Sequence, residues 1–267
     1  MATNEQRRDA AKRKLAAQEV NRTERAAKRR RTTTISVVAT VAVVAIVAAG
    51  LWAVTSAWSG PEPAPEAAAP AAAPAAPAAP GTVNCSYSPG EPAAKPVQAP
   101  PNGPVSNQGT VPVTLTTSAG PIDLTLDRAK APCTVASFES LVAQDYFTGT
   151  SCHRLTTTPG LQVLQCGDPT GRGSGGPGYS FADELNPPPS YERGVLAMAN
   201  AGPDTNGSQF FMIYGDAQLP PSYTAFGTIG QEGLATVDKV AAGGESTGSG
   251  DGAPTVPVEI QAAAAGQ

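Results

Sequence analysis

Met198-Ala-Asn-Ala-Gly-Pro-Asp-Thr-Asn-Gly-Ser-Gln-Phe-Phe211 begins in one apolar segment, 194–199, and ends in another, 210–214. The glycine, proline and asparagine residues between these segments predict a loop that joins two strands. Alternate side chains of a strand share a face, so we expect Gln209 and Phe211 to point one way and the intervening phenylalanine the other. An amide beside an aromatic ring can hold a peptide. The alternative is a polar loop between core strands, with Gln209 capping one end of a barrel.

This stretch resembles the signature of the cyclophilin family of peptidyl-prolyl isomerases. The similarity covers roughly Thr110 to Ala263, about the size of one domain. It implies a mainly β fold, in which a closed, eight-stranded antiparallel barrel is capped by two helices. The other matching motifs, in chain order, are His153-Arg154, Gln165-Cys-Gly-Asp168, Gly171-Arg-Gly-Ser-Gly-Gly-Pro-Gly-Tyr179, Leu219 and Phe226-Gly227.

The residues themselves indicate the same architecture for a domain over 109–267. Segments 111–117 and 121–126 alternate apolar and polar residues and predict a hairpin. Helical spacing predicts one helix over 134–144, with Thr134 as its N-cap, and a second over 232–242. A closing strand is expected over 256–262, and many short strands with few helices indicate a barrel or a sandwich.

Three segments precede this domain. Residues 1–34 are strongly basic and carry a net charge of +7, against −4 for the whole chain. Residues 35–58 contain no charged residue and are long enough for one transmembrane helix. Residues 59–108 are rich in alanine and proline and predict an extended linker.

The charges predict how the chain lies in a membrane. Basic residues before the apolar segment 35–58 favour a cytoplasmic N-terminus and an extracytoplasmic C-terminal domain. We expect a single-pass anchor in the cell membrane; a cleaved signal peptide is the alternative, although the apolar segment is longer than is usual for one. A basic arm that binds nucleic acid is possible in principle, but the adjoining apolar segment favours a membrane flank, and no nucleic-acid partner is predicted.

Four cysteines, at 85, 133, 152 and 166, would lie outside the cytoplasm, where disulfides form. They allow three complete pairings, and buried free thiols are an equal alternative. Their spacing fits no zinc site, and the chain has a single histidine, His153. No metal and no cofactor is predicted, and the glycine-rich motif at 171–176 lacks the following helix that a nucleotide site needs.

The resemblance assigns catalysis to Arg154, and His153 a structural role. Twisting an X–Pro bond makes the proline nitrogen more basic, and a fixed guanidinium that donates to it binds the twisted state better than either planar state. On its own, an arginine in this position is more commonly a surface ion-pair residue. The resemblance further implies a substrate-binding face made by Val163, Gln165, Gly173, Ala199, Asn200, Gln209, Phe211, Leu219 and Tyr223.

The chain departs from the family pattern around this face. The Arg-to-Gln spacing is about three residues longer than usual, and Gln162-Val163 replaces a Phe-Met pair. Gln218 and Tyr223 replace the usual tryptophan and histidine.

The resemblance and the predicted topology together lead us to expect a monomeric peptidyl-prolyl cis-trans isomerase that acts on proline-containing polypeptides during the folding of secreted or cell-surface proteins. The alternative is a non-catalytic module that binds proline-containing peptides on the same fold.

Overall fold

The computed structural model describes residues 79–266. The predicted cytoplasmic segment, 1–34, the predicted membrane span, 35–58, and the first part of the predicted linker lie outside the described residues. Within residues 79–266, no helix has the length and apolarity needed to cross a membrane.

Fourteen strands and two helices make up this part of the chain, which confirms the mainly β architecture with two helices. The helices are α1, Pro132–Ala143, and α2, Gln231–Ala242. The strands are β1 Thr82–Cys85, β2 Ser88–Pro89, β3 Gly103–Ser106, β4 Thr110–Thr117, β5 Gly120–Asp127, β6 Thr150–Ser151, β7 Arg154–Thr156, β8 Leu161–Cys166, β9 Tyr179–Ser180, β10 Val195–Met198, β11 Phe210–Ala217, β12 Ala225–Ile229, β13 Asp251–Gly252 and β14 Glu259–Ala265.

The main sheet is antiparallel and has the order β13-β7-β8-β11-β10-β12-β5-β4-β14-β6. Only Cys152 and His153 separate β6, at one edge, from β7, next to the other edge, so the sheet must curl strongly. It holds ten strands where eight were predicted, because β6 and β13 are two-residue strands too short to show an alternating pattern. Full closure of the barrel stays a prediction.

The predicted hairpin is confirmed as β4 and β5, paired in register from Thr110↔Asp127 to Thr117↔Gly120. Its alternation is visible in the burial of Val111, Val113 and Leu115 on one face of β4. The closing strand starts at Glu259, three residues later than predicted, after the proline-containing segment 254–257.

The predicted N-cap of the first helix was wrong. The helix α1 begins at Pro132, and Thr134 lies buried inside its first turn. Glu184 takes the place of a local cap: its carboxylate accepts hydrogen bonds from the backbone N–H of Cys133 and from the N–H and hydroxyl of Thr134, at 2.7–2.9 Å. Burial raises the pKa of Glu184, although these hydrogen bonds oppose the shift. A carboxylate 50 residues away thus satisfies the helix start.

Aromatic rings fill the centre of the core between α1 and the sheet. Phe138 of α1 lies with its ring centroid 4.8 Å from that of Phe147, 5.3 Å from Phe210 and 5.4 Å from Phe226. All four rings are at most 2% exposed. Phe210 therefore points into the core, as its place in the alternating pattern predicts.

The predicted linker over 59–108 differs from the structure over residues 82–106, in the second half of the segment. Strands β1 and β3 pair with each other, and β2 pairs with β9. Cys85 and Tyr87 are each only 4% exposed, and Cys85 forms a disulfide with Cys133 of α1. The high proline and glycine content concealed this packing, because a few buried side chains are enough to fix an otherwise irregular segment. A second disulfide joins Cys152 and Cys166.

We predict that the Cys85–Cys133 disulfide stabilises the folded domain. It closes a loop with a sequence separation of 48, so replacing both cysteines by serine should lower the free energy of unfolding by about 2–4 kcal/mol. Urea unfolding of the full-length chain measures this. The double variant keeps the Cys152–Cys166 disulfide, and an unchanged unfolding midpoint would show that β1–β3 is not part of the cooperative unit.

Candidate functional site

The predicted catalytic arginine and two of the predicted peptide-binding residues, Gln165 and Phe211, lie in one row across four strands. Arg154 on β7 lies opposite Gln165 on β8. Gln165 lies opposite Phe211 on β11, and Phe211 lies opposite Ala197 on β10. Because opposite residues of paired strands share a face, these side chains are direct neighbours. The sheet register therefore brings together residues that are far apart in the sequence.

The alternation along these strands separates two apolar layers. Leu164, Phe210 and Met212 point into the main core, whereas their sequence neighbours Val163 and Phe211 point to the other face. On that face a second apolar group forms, which we call the site cluster: Val163, Tyr191, Ala197, Phe211 and Ile213, with the partly exposed Leu161, Val195, Ala199, Ala217, Leu219 and Tyr223 packed against it.

Tyr223 and Tyr191 shape one side of the site cluster. The ring of Tyr223 packs edge-to-face on Phe211 with centroids 5.6 Å apart. The Tyr191 hydroxyl donates to the carbonyl of Tyr223 at 2.8 Å and accepts from its backbone N–H at 2.9 Å. Tyr191 thus fixes the segment that presents Tyr223. Sequence reasoning missed Tyr191, which follows a run of prolines and carries no periodic signal.

A line of hydrogen bonds, here called the polar row, runs beside the site cluster. Arg154 Nη1 donates to Gln165 Oε1 at 3.3 Å, Gln165 Nε2 donates to Gln209 Oε1 at 2.9 Å, and Gln209 Nε2 donates to the carbonyl of Gly175 at 3.0 Å. Each amide accepts at one end and donates at the other. The row therefore fixes the direction of both glutamine side chains as well as one edge of the guanidinium.

Asp251 holds the other edge of Arg154. Its two carboxylate oxygens accept from Nε at 2.8 Å and from Nη2 at 2.7 Å. This ion pair and its hydrogen bonds raise the pKa of Arg154 and lower the pKa of Asp251. Both groups therefore stay charged across the neutral range. Sequence reasoning missed Asp251, because a single acid in a Gly- and Ser-rich loop has no distinguishing pattern.

The loop that carries Asp251 is itself ordered by a carboxylate. Glu245 accepts from the backbone N–H of Thr247 at 2.6 Å and from that of Gly250 at 2.8 Å. The Thr247 hydroxyl donates to the carbonyl of Asp251 at 3.1 Å. These bonds tie the loop to itself, so Asp251 is presented to Arg154 from a defined backbone.

Asp168 organises the glycine-rich loop 171–176. Its fully buried carboxylate accepts backbone hydrogen bonds from Thr170, Arg172, Gly173 and Ser174 at 2.6–3.1 Å. Burial alone would raise the pKa of Asp168, but these hydrogen bonds outweigh it and the pKa is lowered. The loop thus folds around the Asp168 carboxylate, and this arrangement places Gly173 at the edge of the site.

The side chain of Asn200 is already engaged. Its amide donates to the carbonyl of Ser222 at 2.9 Å and its oxygen accepts from the backbone N–H of Gly202 at 3.3 Å. The side chain thus connects the loop after β10 with the segment that carries Tyr223. The prediction that it binds the substrate backbone stays a prediction, and these bonds would have to persist or exchange when it does.

His153 lies next to Arg154, and the two nitrogen atoms of its half-buried ring are shielded from water. Neither ring nitrogen forms a hydrogen bond, and a Cβ atom placed on Gly173 would lie 3.4 Å from Nε2. Burial lowers the pKa of His153; the nearby Asp168 carboxylate opposes this shift, and Arg154 adds a smaller lowering. The imidazole is therefore neutral at pH 7. Residues 79–266 hold no cluster of three or more His, Cys, Asp or Glu side chains suited to a metal ion.

We predict that His153 makes the fold less stable below about pH 6.5. The unfolded chain takes up a proton near the ordinary pKa of 6.5, whereas the folded chain resists it, so the free energy of unfolding should fall as the pH drops from 7 to 5, by at most about 1.4 kcal/mol per pH unit.

His153→Leu should remove this dependence. The raised pKa of Glu184 acts with the opposite sign over part of the range, so the measured quantity is the difference between wild type and variant at each pH. Parallel stability curves for the two proteins would contradict a buried neutral imidazole.

The family model described as "Cyclophilin type peptidyl-prolyl cis-trans isomerase/CLD" matches residues 112–265. A "Probable peptidyl-prolyl cis-trans isomerase B" of Mycobacterium leprae is 52% identical over 193 residues, which cover 67% of this chain and 65% of the relative. The protein of that name from Mycobacterium tuberculosis (strain H37Rv) is 52% identical over 192 residues, 67% of this chain and 62% of the relative. The chain thus spans less than two thirds of the length of these curated relatives.

Solved structures show the same fold. A cyclophilin type peptidyl-prolyl cis-trans isomerase of Cryptosporidium parvum superposes with a TM-score of 0.53 at 30% identity, over 60% of this chain and 99% of that one. A second structure of that protein, crystallised in the presence of the dipeptide Ala-Pro, gives a TM-score of 0.52 at 31% identity, over 58% of this chain and 99% of that one.

Proposed function

Because this chain belongs to the cyclophilin-type peptidyl-prolyl cis-trans isomerase family, we propose that it accelerates the cis-trans isomerisation of X–Pro bonds in polypeptides. The observation that carries this proposal is the position of Arg154. Its guanidinium is fixed on two edges, by Asp251 and by the polar row, beside the apolar site cluster.

The arginine supplies the chemistry. An X–Pro bond resists rotation because of its partial double-bond character, with a barrier of about 18–20 kcal/mol. At the top of this barrier the proline nitrogen has regained its lone pair and accepts a hydrogen bond. A guanidinium carries five N–H donors, of which three are engaged with Asp251 and Gln165. The others are available to the twisted state, which the fixed arginine stabilises more than either planar state.

The site cluster supplies the binding surface. Phe211 is 5% exposed and forms the floor, while the partly exposed Leu219, Tyr223 and Ala199 surround it. A proline ring placed there loses contact with water and gains contact with carbon atoms, which is favourable for an apolar ring. The amides of Gln165 and Gln209 lie in the polar row beside this surface, and we expect them to bind the backbone of a peptide held there. No covalent step or cofactor is required for rotation about a bond.

We also propose that the protein is a single-pass membrane protein, with its N-terminus in the cytoplasm and this domain outside, and that it acts on secreted or cell-surface proteins. The apolar segment 35–58 and the basic segment 1–34 support this topology. The two disulfides support an oxidising compartment.

We predict that Arg154→Ala lowers kcat/KM for isomerisation of an X–Pro peptide by about 10²–10³-fold, because it removes a fixed donor to the transition state. The full-length protein is assayed by NMR exchange on a proline peptide. Arg193→Ala, which breaks an ion pair with Asp238 on another part of the surface, is the control and should retain activity. Near-normal turnover by the Arg154 variant would refute this role, and a folded wild type without activity would favour the non-catalytic peptide-binding module.

We predict that Asp251 is a positioning residue for this arginine. Asp251→Asn keeps the shape but removes the charge, and should lower kcat by about tenfold with little change in KM, because the guanidinium becomes mobile. The matched control is Asp238→Asn, since Asp238 also holds an arginine with both carboxylate oxygens, which accept from Nη1 and Nη2 of Arg193 at 2.8 and 2.7 Å. The NMR signal of the Arg154 Nε–H should broaden or shift only in the first variant. Equal kcat in the two variants would show that Gln165 alone positions Arg154.

The topology predicts the outcome of reporter fusions. A reporter that is active only outside the cytoplasm should be active when fused after Gln267, and a cytoplasmic reporter at that place should be inactive. Replacing the basic residues of segment 1–34 by glutamine should weaken this preference, because they retain the N-terminus inside. The opposite pattern of reporter activity would reverse the assignment.

A further inference from the structure

A groove continues from the polar row, away from Arg154. Its volume is about 720 Å³, and Gln165 and Gln209 mark the end nearest to the arginine. One side is formed by residues 199–201 together with Thr205, and the other by the glycine-rich loop. The far wall is formed by Gly90, Glu91 and Pro92, which precede the residues matched by the family model. The groove is therefore completed by a part of the chain that lies outside the family match.

Backbone pairing holds this wall in place. Strand β2 pairs with β9, with Pro89 opposite Tyr179. The pairing continues as Gly90 N–H donates to the carbonyl of Gly178 at 2.9 Å, and Ala94 N–H donates to that of Gly176 at 2.9 Å. The segment 88–94, which we call the N-terminal strap, thus follows the glycine-rich loop along the edge of the groove.

Side chains just before the N-terminal strap anchor its first residues. Tyr87 packs edge-to-face on Tyr179 and Phe181, with centroid distances of 5.8 and 5.6 Å. Its hydroxyl donates to the carbonyl of Cys133 at 2.8 Å, and the adjoining Cys85 is bonded to the same residue. The fit is close, since a Cβ atom on Gly178 would lie 3.0 Å from that of Ala93. The strap is therefore a fixed wall of the groove.

The strap gives the groove its charge. Among the residues that line the groove, Glu91 alone carries a formal charge. It is exposed, and it forms no ion pair or hydrogen bond with any residue in 79–266. The one basic residue that follows in this segment, Lys95, is turned away and donates to the carbonyls of Asp145, Tyr146 and Thr148. The lining of the groove thus includes one unpaired acidic residue.

We propose that Glu91, which the strap adds from outside the family match, gives the groove, as a subsite beside the proline, a preference for a lysine or arginine side chain within three residues of the isomerised proline. The proposal rests on the proposed isomerase function, because the proline ring must occupy the site cluster. The glycine and alanine residues of the groove leave room for the aliphatic part of a long side chain, and its cationic end meets Glu91. An exposed ion pair of this kind gives a preference of about two- to fivefold, which salt weakens.

The test uses the full-length protein and peptides with a single proline. Lysine, norleucine or glutamate is placed at each of the three positions before and after the proline. For at least one position, kcat/KM at low salt should be about two- to fivefold higher for lysine than for norleucine. Glu91→Gln should reduce this ratio to about one without changing kcat/KM for the norleucine peptide. Glu259→Gln, which removes an exposed glutamate on β14, away from the groove, should leave the ratio as in the wild type.

Binding measured in parallel distinguishes a failure of the subsite proposal from a failure of the proposed activity. Titration calorimetry with the same lysine and norleucine peptides reports the preference even when nothing is isomerised. A lysine preference in binding that depends on Glu91, without isomerisation, would overturn the proposed function and support the subsite. If the protein isomerises the peptides, but the ratio of kcat/KM for lysine to that for norleucine is the same in the wild type and in Glu91→Gln at every position, the subsite is overturned and the proposed function is supported.

Discussion

The site depends on the ion pair between Arg154 and Asp251, because it connects the short edge strand β13 with the strand β7 that carries the arginine. From Asp251 the contacts continue through Arg154, Gln165 and Gln209 to the carbonyl of Gly175. Each member comes from a different strand or loop. A slip of one residue in the register of β7, β8 or β11 would turn its member of the row to the opposite face. The strand register that packs the sheet therefore also determines where the arginine lies.

The strands that carry the site are apolar on both faces, which is unusual for an antiparallel sheet with one side turned to solvent. One face of β8 and β11 completes the main core, and the other forms the site cluster. Tyr191 and Tyr223 cover part of this second layer and leave the rest accessible. The partly exposed Ala199, Leu219 and Tyr223 thus leave an apolar surface in contact with water beside the buried Phe211, and this is the surface proposed to bind a peptide.

Local patterns were enough to predict the elements that local physics determines. The alternation in β4 and β5, the helical spacing around Phe138, and the opposite directions of Phe210 and Phe211 all follow from the periods of strand and helix. The resemblance supplied the association of Arg154 with Gln165 and Gln209, which the register then places together.

The features that the sequence did not disclose depend on long-range contacts. Thr134 was assigned as a cap because nothing local marks Glu184 as the group that satisfies the helix start. The packed segment around Tyr87 was assigned to the linker because its composition resembles the proline-rich residues before it. Asp251 was missed since its role is defined only by the arginine it meets, 97 residues away.

The pairing of β4 with β14 has a consequence for the order in which the domain is made. Thr114 lies opposite Ala264, so the first long strand of the main sheet waits for a partner at the far end of the chain. During synthesis, β4 and β5 can form their hairpin early, but the outer edge of β4 stays unpaired until nearly the whole domain has emerged. Such non-local contacts slow folding and leave a strand edge open to other chains. A protein of this fold therefore passes, during synthesis, through a stage in which this strand edge is exposed.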